Sequence, residues 1–256
     1  MRLINAHTLR LENFHNEATI PPYAILSHTW GNSEITFKEL RGLNMSLRNA
    51  RIRIKAKAGY YKITKACAQA LIDGLSYCWV DTCCIDKTSS AELSEAINSM
   101  FRWYKNAQVC YAYLDDIDFR FWTKSIDLLG ERDLAKAKWF TRGWTLQELV
   151  APKKVVFYIK GWNFVGNKAS MVEKLARITG IDEETLAGGS LEAVSVARRM
   201  SWAAKRVTTR VEDIAYCLLG IFDVNMPLLY GEGEKAFVRL QEEIMKDSQD
   251  QSLFAW

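Results

Sequence analysis

Two hydrophobic rhythms alternate along the chain, and their order predicts an architecture. Short, nearly continuous apolar runs stand at Tyr23–Leu26 in PPYAILSHTWG, at Tyr77–Val80 in SYCWVDTCCIDK, in VCYAYLDD and in KKVVFYI. Runs this short, bounded by Pro, Gly or Asp, suit strands buried on both faces. Between them the period lengthens to that of a helix. In GYYKITKACAQALIDG, Ile63, Ala66, Cys67, Ala70 and Leu71 recur at helical spacing, and Gly74 is placed as a C-cap. In SSAELSEAINSMFRWYKNA, Leu93, Ile97, Met100, Phe101 and Tyr104 share a face behind a Ser89/Glu92 capping box. FTRGWTLQELVAP predicts a further short helix closed by Pro152. Strands alternating with helices in this way predict a parallel sheet covered on both faces.

The pattern changes in the last hundred residues. LEAVSVARRMSWAAKRVTTRVEDIAYCLLGIF is helical in period. Thr209 and Glu212 offer a capping box, and Val211, Ile214, Ala215, Leu218 and Phe222 share a face. EKAFVRLQEEIM is a second amphipathic helix. The expected organisation is an α/β domain over 1–165 and a helical extension over 166–256 packed on it. In open parallel sheets, ligands sit beyond the carboxyl ends of the strands. Those ends here are Ser27–Gly31, Asp81–Lys87 and Asp115–Asp116.

Composition narrows the classes. A chain of 256 residues with 49% hydrophobic and 25% charged residues can bury a real core. No apolar run approaches the roughly 18 residues that span a bilayer. MRLINAHTLRLENF lacks a signal peptide's apolar segment, so a cytoplasmic protein is expected. None of the six cysteines has C-x-x-C spacing, which argues against a structural zinc and for reduced, packed thiols. A net charge of +4 does not by itself imply nucleic acid. Arg41, Arg48, Arg51, Arg53, Lys55, Lys57, Lys62 and Lys65 fall in one acid-free stretch. The alternation in ARIRIKAKA suits an exposed edge strand or a mobile loop, with contact to phosphates or anionic lipid as the alternative.

Candidate chemistry centres on Glu148. It lies four residues after Trp144, so both occupy one helix face. A carboxyl against an indole in a dry cleft has a raised pKa, and it can bind sugar hydroxyls and stabilise developing positive charge. Against this, Thr145-x-x-Glu148 reads equally as a capping box. Ser27 and His28, in the first strand-to-loop junction, could meet a phosphate or ribose, or be structural. Trp30 lines a pocket or covers the sheet edge. Asp81 orients a ligand hydroxyl or caps the next turn. Arg142 grips a phosphate or forms a surface pair. Asp86 and Lys87 read as pairing or capping residues. Cys83 or Cys84 with His28 and Asp81 would make a Cys–His hydrolase, although no thiol-protease signature surrounds them.

PPYAILSHTWG, GLSYCWVDTCCIDK, ELSEAINSMFRWYKNAQVCYAYLDD, WFTRGWTLQELVAP and MSWAAKRVTTRVEDIAYCLLGIFDVNMPLLYGEGEKAFVRLQEEI together strongly resemble the fungal heterokaryon-incompatibility (HET) domain. The likeness is to HET domains that sit N-terminal to NACHT/WD-repeat receptors. It implies a cell-death effector of allorecognition, with the sensor in the same full-length chain. Such receptors continue toward a NACHT module where this sequence ends in DQSLFAW, so a truncated effector is expected. It also implies that 44–58 is a loop of variable length. More distantly, the element order resembles Toll/interleukin-receptor (TIR) domains, which implies a flavodoxin-like sheet. GWTLQELVAPKKVVFY is similar to the TIR segment W-C-x-x-E-L and its next strand, with Thr145 in place of the cysteine. That similarity implies NAD as substrate, with no bound cofactor or metal. Glu148 would support cleavage of the nicotinamide–ribose bond, in a cleft shaped by Ser27, His28, Trp30, Asp81, Arg142 and Trp144. It further implies a homo-oligomer on activation. A purely assembling, non-enzymatic module is the competing expectation.

Overall fold

The computed structural model describes residues 1–43, 48–118 and 130–255. Among these, seven strands form one sheet: β1 (Arg2–Asn5), β2 (Arg10–Asn13), β3 (Ala24–His28), β4 (Tyr77–Trp79), β5 (Val109–Leu114), β6 (Val155–Ile159) and β7 (Asn163–Asn167). Their order is β2-β1-β4-β3-β5-β6-β7. The four inner strands β4-β3-β5-β6 are parallel, as their unbroken apolar runs require. The β1–β2 hairpin and β7 add antiparallel edges. In chain order the parallel strands run 2-1-3-4, the order found in flavodoxin-like sheets. The chain therefore reverses direction between β3 and β5, and the carboxyl ends of those two strands flank the switch point.

Among the described residues, the α-helices that precede or accompany this sheet are α1 (Phe37–Gly42), α2 (Arg48–Lys55), α3 (Ala58–Ile72), α4 (Asp81–Cys84), α5 (Ser90–Asn106), α6 (Glu131–Leu134) and α7 (Thr145–Val150). Alternate side chains of a strand point to opposite faces. Ser27 meets α7, while His28 meets α3, so these helices lie on opposite faces. α3 buries Ile63, Ala66, Cys67 and Ala70, and α5 buries Ile97, Met100 and Tyr104, along the stripes that the period predicts. Gly74 follows α3 at φ 77°, the left-handed conformation that a C-terminal glycine supplies.

Two expectations are corrected here. ARIRIKAKA forms no edge strand or loop: residues 48–55 are α2. Its alternation gives neither period a full apolar face, since Ile54 is buried and Ile52 is 58% exposed. Arg, Lys and Ala favour helix, and that local preference decides. Residues 44–47 of the expected variable loop lie outside the described residues. The second correction concerns 191–222, where the helical period is broken into α10 (Val196–Ser201), α11 (Asp213–Tyr216) and α12 (Leu219–Phe222), preceded by α8 (Val172–Thr179) and α9 (Glu183–Leu186). Residues 202–212 form no α-helix, and Val211 is 54% exposed. The Thr209/Glu212 box does not form. Glu212 instead accepts the N–H groups of Gly231 at 2.7 Å and Gly233 at 3.2 Å. α13 (Lys235–Asp247) is the amphipathic helix that its sequence predicts. α12 packs on α5 so closely that a Cβ on Gly220 would fall 2.0 Å from Phe101 Cβ.

Candidate functional site

Glu148 lies in α7 under the carboxyl end of β3. Ser27, at the end of that strand, donates its hydroxyl to Glu148 Oε2 and accepts the Trp139 indole N–H at 2.7 Å. Tyr104 from α5 hydrogen-bonds the same carboxyl. Burial pushes the Glu148 pKa up to about 8; the Ser27 bond opposes the rise, Asp81 adds to it, and Arg142 opposes it. At neutral pH the group is largely the uncharged acid. The expected cleft does not open onto Glu148, because the residue is only 7% exposed and is closed in by these partners. The capping-box alternative fails as well. Trp144 occupies the N-cap of α7 without a side-chain cap bond. Thr145 Oγ1 donates to the carbonyls of Trp139 and Arg142.

Trp144 and Arg142 do not join Glu148 in a common cleft. The Trp144 indole is bonded to Asp213, and Arg142 Nη1 donates to Thr209 Oγ1 at 3.2 Å. Both face the segment 207–213, which runs alongside in a parallel bridge of Arg142 with Val207. The sequence reading missed Arg206, whose buried guanidinium ties that segment to α7. Its Nη1 donates to the Arg142 carbonyl at 2.9 Å and to Thr145 Oγ1 at 3.0 Å. Burial lowers the Arg206 pKa to about 10. No local signal separates this arginine from its basic neighbours Lys205 and Arg210.

On the opposite face the carboxyl edge holds a second polar cluster. His28 Nε2 lies 3.1 Å from Asp81 Oδ1, and its Nδ1 faces Lys62 Nζ at 3.4 Å. An ammonium can only donate, so Nδ1 accepts and the ring proton sits on Nε2, aimed at Asp81. Lys62 Nζ also meets Glu34 Oε1 at 2.7 Å, the Thr29 carbonyl at 2.9 Å and Asp115 Oδ2 at 3.3 Å. Lys62 and Glu34 were not foreseen. The available signal was a lysine on the buried stripe of α3, in line with Ala66 and Ala70. Trp30 is 54% exposed and covers the edge; its indole N–H donates to Asp81 Oδ2 at 2.8 Å. The Lys87 ammonium lies 3.5 Å above that ring and 3.8 Å from Asp81. Burial would raise the Asp81 pKa, but Lys87, His28 and Trp30 outweigh it and hold the carboxylate at about 2. Asp81 therefore does not cap α4, whereas Asp86 does cap its turn by accepting from Thr88.

The arrangement does not favour a Cys–His hydrolase, because the His28 ring nitrogens face Asp81 and Lys62 and neither faces Cys83 or Cys84. All six cysteines are buried and unpaired. Burial pushes the Cys83 pKa well above the usual thiol range, the opposite of what a nucleophilic thiolate needs. Among the described residues no cluster of three His, Cys, Asp or Glu side chains is arranged to hold a metal, and no helix is long and apolar enough to cross a membrane.

These strand-end groups can be set beside known proteins. The family described as heterokaryon incompatibility protein (HET) matches residues 23–129, and a domain of unknown function (DUF8212) matches residues 235–256. The chain is similar to the vegetative incompatibility protein HET-E-1 of Podospora anserina, with 49% identity over 235 residues. The chain carries a HET domain. That alignment covers 89% of this chain but 16% of the relative, so the chain spans a small part of that protein. No solved structure matches the chain. Within the HET match fall Ser27, His28, Trp30 and Asp81, whereas Arg142, Trp144 and Glu148 lie beyond it. Most of the polar edge of the sheet is thus HET sequence, and Glu148 reaches it through the fold.

Proposed function

We propose that this HET domain executes a heterokaryon-incompatibility response as a cell-death effector, in the cytoplasm, within a longer protein that carries a NACHT/WD-repeat sensor. Kinship with a vegetative incompatibility protein supports the role. For the chemistry we propose hydrolysis of NAD at the nicotinamide–ribose bond once copies cluster. The observation that supports it is the position of Glu148. The acid is held by Ser27 at the carboxyl end of β3, beside the switch point and within electrostatic reach of Asp81 and Arg142.

The bond between ribose C1′ and the pyridinium nitrogen breaks as water oxygen bonds to C1′. The bonding pair leaves with nicotinamide, which becomes neutral, and one proton of the water passes to a carboxylate and then to solvent. The sugar passes through an oxocarbenium-like state, which an ionised carboxylate stabilises and a neutral acid does not. Glu148 at rest is shielded and mostly protonated, which describes a resting domain. Clustering would open the edge, hydrate the carboxyl and let it ionise. The exposed Trp30 ring at the same carboxyl edge would then offer a stacking surface, whereas Arg142 stays tied to Thr209.

The test is nicotinamide release from NAD by the purified domain, alone and fused to an oligomerising scaffold. Release is expected in the clustered form only, and its loss in Glu148→Gln. Cell killing by the clustered Glu148→Gln variant, with no NAD consumed, would instead establish a non-enzymatic assembling module.

A further inference from the structure

A cavity of about 570 Å³ opens at the carboxyl end of β5, between the first turns of α3 and the loop that follows β6. It does not belong to the Glu148 side. Tyr113, in its lining, pairs in register with His28 and shares the α3 face, whereas Ala112 pairs with Ser27 on the other face. Its size falls in the range of about 300–1,000 Å³ typical of small-molecule sites, and its place beside the switch point is where open α/β sheets bind ligands.

The lining brings three chemistries together. Tyr61, 39% exposed, and Tyr113, 3% exposed, supply flat aromatic walls. The Tyr113 ring is held from behind by Trp162 at 5.2 Å, which itself stacks on Tyr158 at 4.7 Å, and the Gly161 backbone hydrogen-bonds the phenol. Such a wall is preorganised and loses little entropy on binding. The Asp115 carboxylate is fixed by Thr29 Oγ1 at 3.2 Å and Lys62 at 3.3 Å, yet stays 32% exposed. Each carboxylate oxygen has two acceptor sites, so Asp115 can still accept a pair of hydroxyls. At the rim stands Lys160, 51% exposed, paired with Asp118 Oδ2 at 3.1 Å; its ammonium has three donors and keeps others for an anion.

We propose that this cavity binds a nucleoside 5′-monophosphate, free or as one half of a dinucleotide. The base lies against Tyr61 and Tyr113, the ribose diol donates to Asp115, and the phosphate meets Lys160. A carboxylate at a strand end taking up ribose hydroxyls is the arrangement that parallel sheets favour. The site stands apart from the hydrolysis proposed at Glu148 and does not rest on it.

Titration of the full chain with AMP, 2′-deoxy-AMP, adenosine and NAD, read by calorimetry and by tryptophan fluorescence through Trp162, tests the assignment. AMP is expected to bind saturably at one site in both wild type and Glu148→Gln. Loss of the 2′-hydroxyl or the Asp115→Asn change weakens binding about tenfold, the scale of one hydrogen bond to a charged group. Adenosine binds more weakly than AMP. Equal affinity for AMP and NAD identifies the adenylate half as the recognised unit, and AMP binding without NAD binding identifies the free mononucleotide. Ala58→Phe, at an exposed rim position and with its fold checked by circular dichroism, blocks binding altogether. The assignment is overturned if no ligand saturates at millimolar concentration, if AMP binds unchanged in both Asp115→Asn and Ala58→Phe, or if Glu148→Gln alone abolishes binding.

Discussion

The two faces of the sheet's carboxyl edge handle buried charge in opposite ways. Beneath α7, Glu148 is held by a hydroxyl and a phenol rather than by an ion pair; Arg142 and Arg206 act on it through their charge, yet burial raises its pKa to about 8. Beneath α3, His28, Lys62, Glu34, Asp81, Asp115 and Lys87 alternate in sign, and Asp81 is held at about 2 despite its burial. The same element, β3, contributes Ser27 to one face and His28 to the other. A lone buried acid sheds its charge by keeping a proton, whereas a cluster keeps its charges by pairing them. The first arrangement holds a neutral acid. The second builds a fixed scaffold.

The sharpest way to break this contrast is to remove the hub of the paired face. Lys62→Met would leave Glu34 and Asp115 without their shared cation, and it is expected to lower stability by about 3–5 kcal/mol in urea unfolding. A loss below about 1 kcal/mol would mean that the carboxylates relax into solvent. Asp81→Asn removes the charge and one of the two acceptor oxygens that serve His28, Trp30 and Lys87, and should cost about 1–3 kcal/mol at neutral pH. Wild-type stability from Asp81 is present above the usual carboxyl value of 3.8 and is lost as pH falls toward about 2, so the difference between the two proteins should close in acid.

Glu148→Gln reverses the sign. The folded protein keeps the Glu148 proton up to about 8, while the unfolded chain releases it near 4.5. Between those values the folded state binds more protons, so wild-type stability falls as pH rises. The contribution is complete below about 4.5 and gone above about 8. The glutamine variant, a neutral stand-in, should stay within about 1 kcal/mol of wild type in acid, the scale of a mild substitution. It should then lose that slope; parallel pH profiles for the two proteins would refute the shielded acid. The smallest effect is expected for Lys87→Ala. That ammonium is 35% exposed and solvent-screened, so a change under about 1 kcal/mol is expected by thermal unfolding, with a measurable rise of the Asp81 pKa by NMR titration.

How far the site was legible depends on the range of each contact. Ser27, His28, Asp81 and Asp115 stand where apolar runs stop, and a run that stops marks the edge of a parallel sheet. Ser89 caps α5 as its local pattern predicts, yet the Glu92 carboxylate turns away from that box to Arg2 and to the Asp86 N–H. Thr145 and Glu148 share the same local pattern and form no box at all. A cap is worth about 1 kcal/mol, which a buried long-range partner easily exceeds. The local spelling of a capping box names a carboxylate without naming its partner.

By itself, the order of apolar runs and helical stripes determined the parallel strands, the helices α3, α5 and α13, and the strand-end residues at the edge. Those features depend on neighbours within a few positions, where hydrophobic burial repeats with the backbone's own period. Tertiary structure alone decided that Glu148 meets Ser27 across 121 residues, that Lys62 turns inward, and that the cavity and the acid lie on opposite faces. The reason is that the state of a buried charge is set by whatever surrounds it in space, and that company is assembled only when distant segments pack.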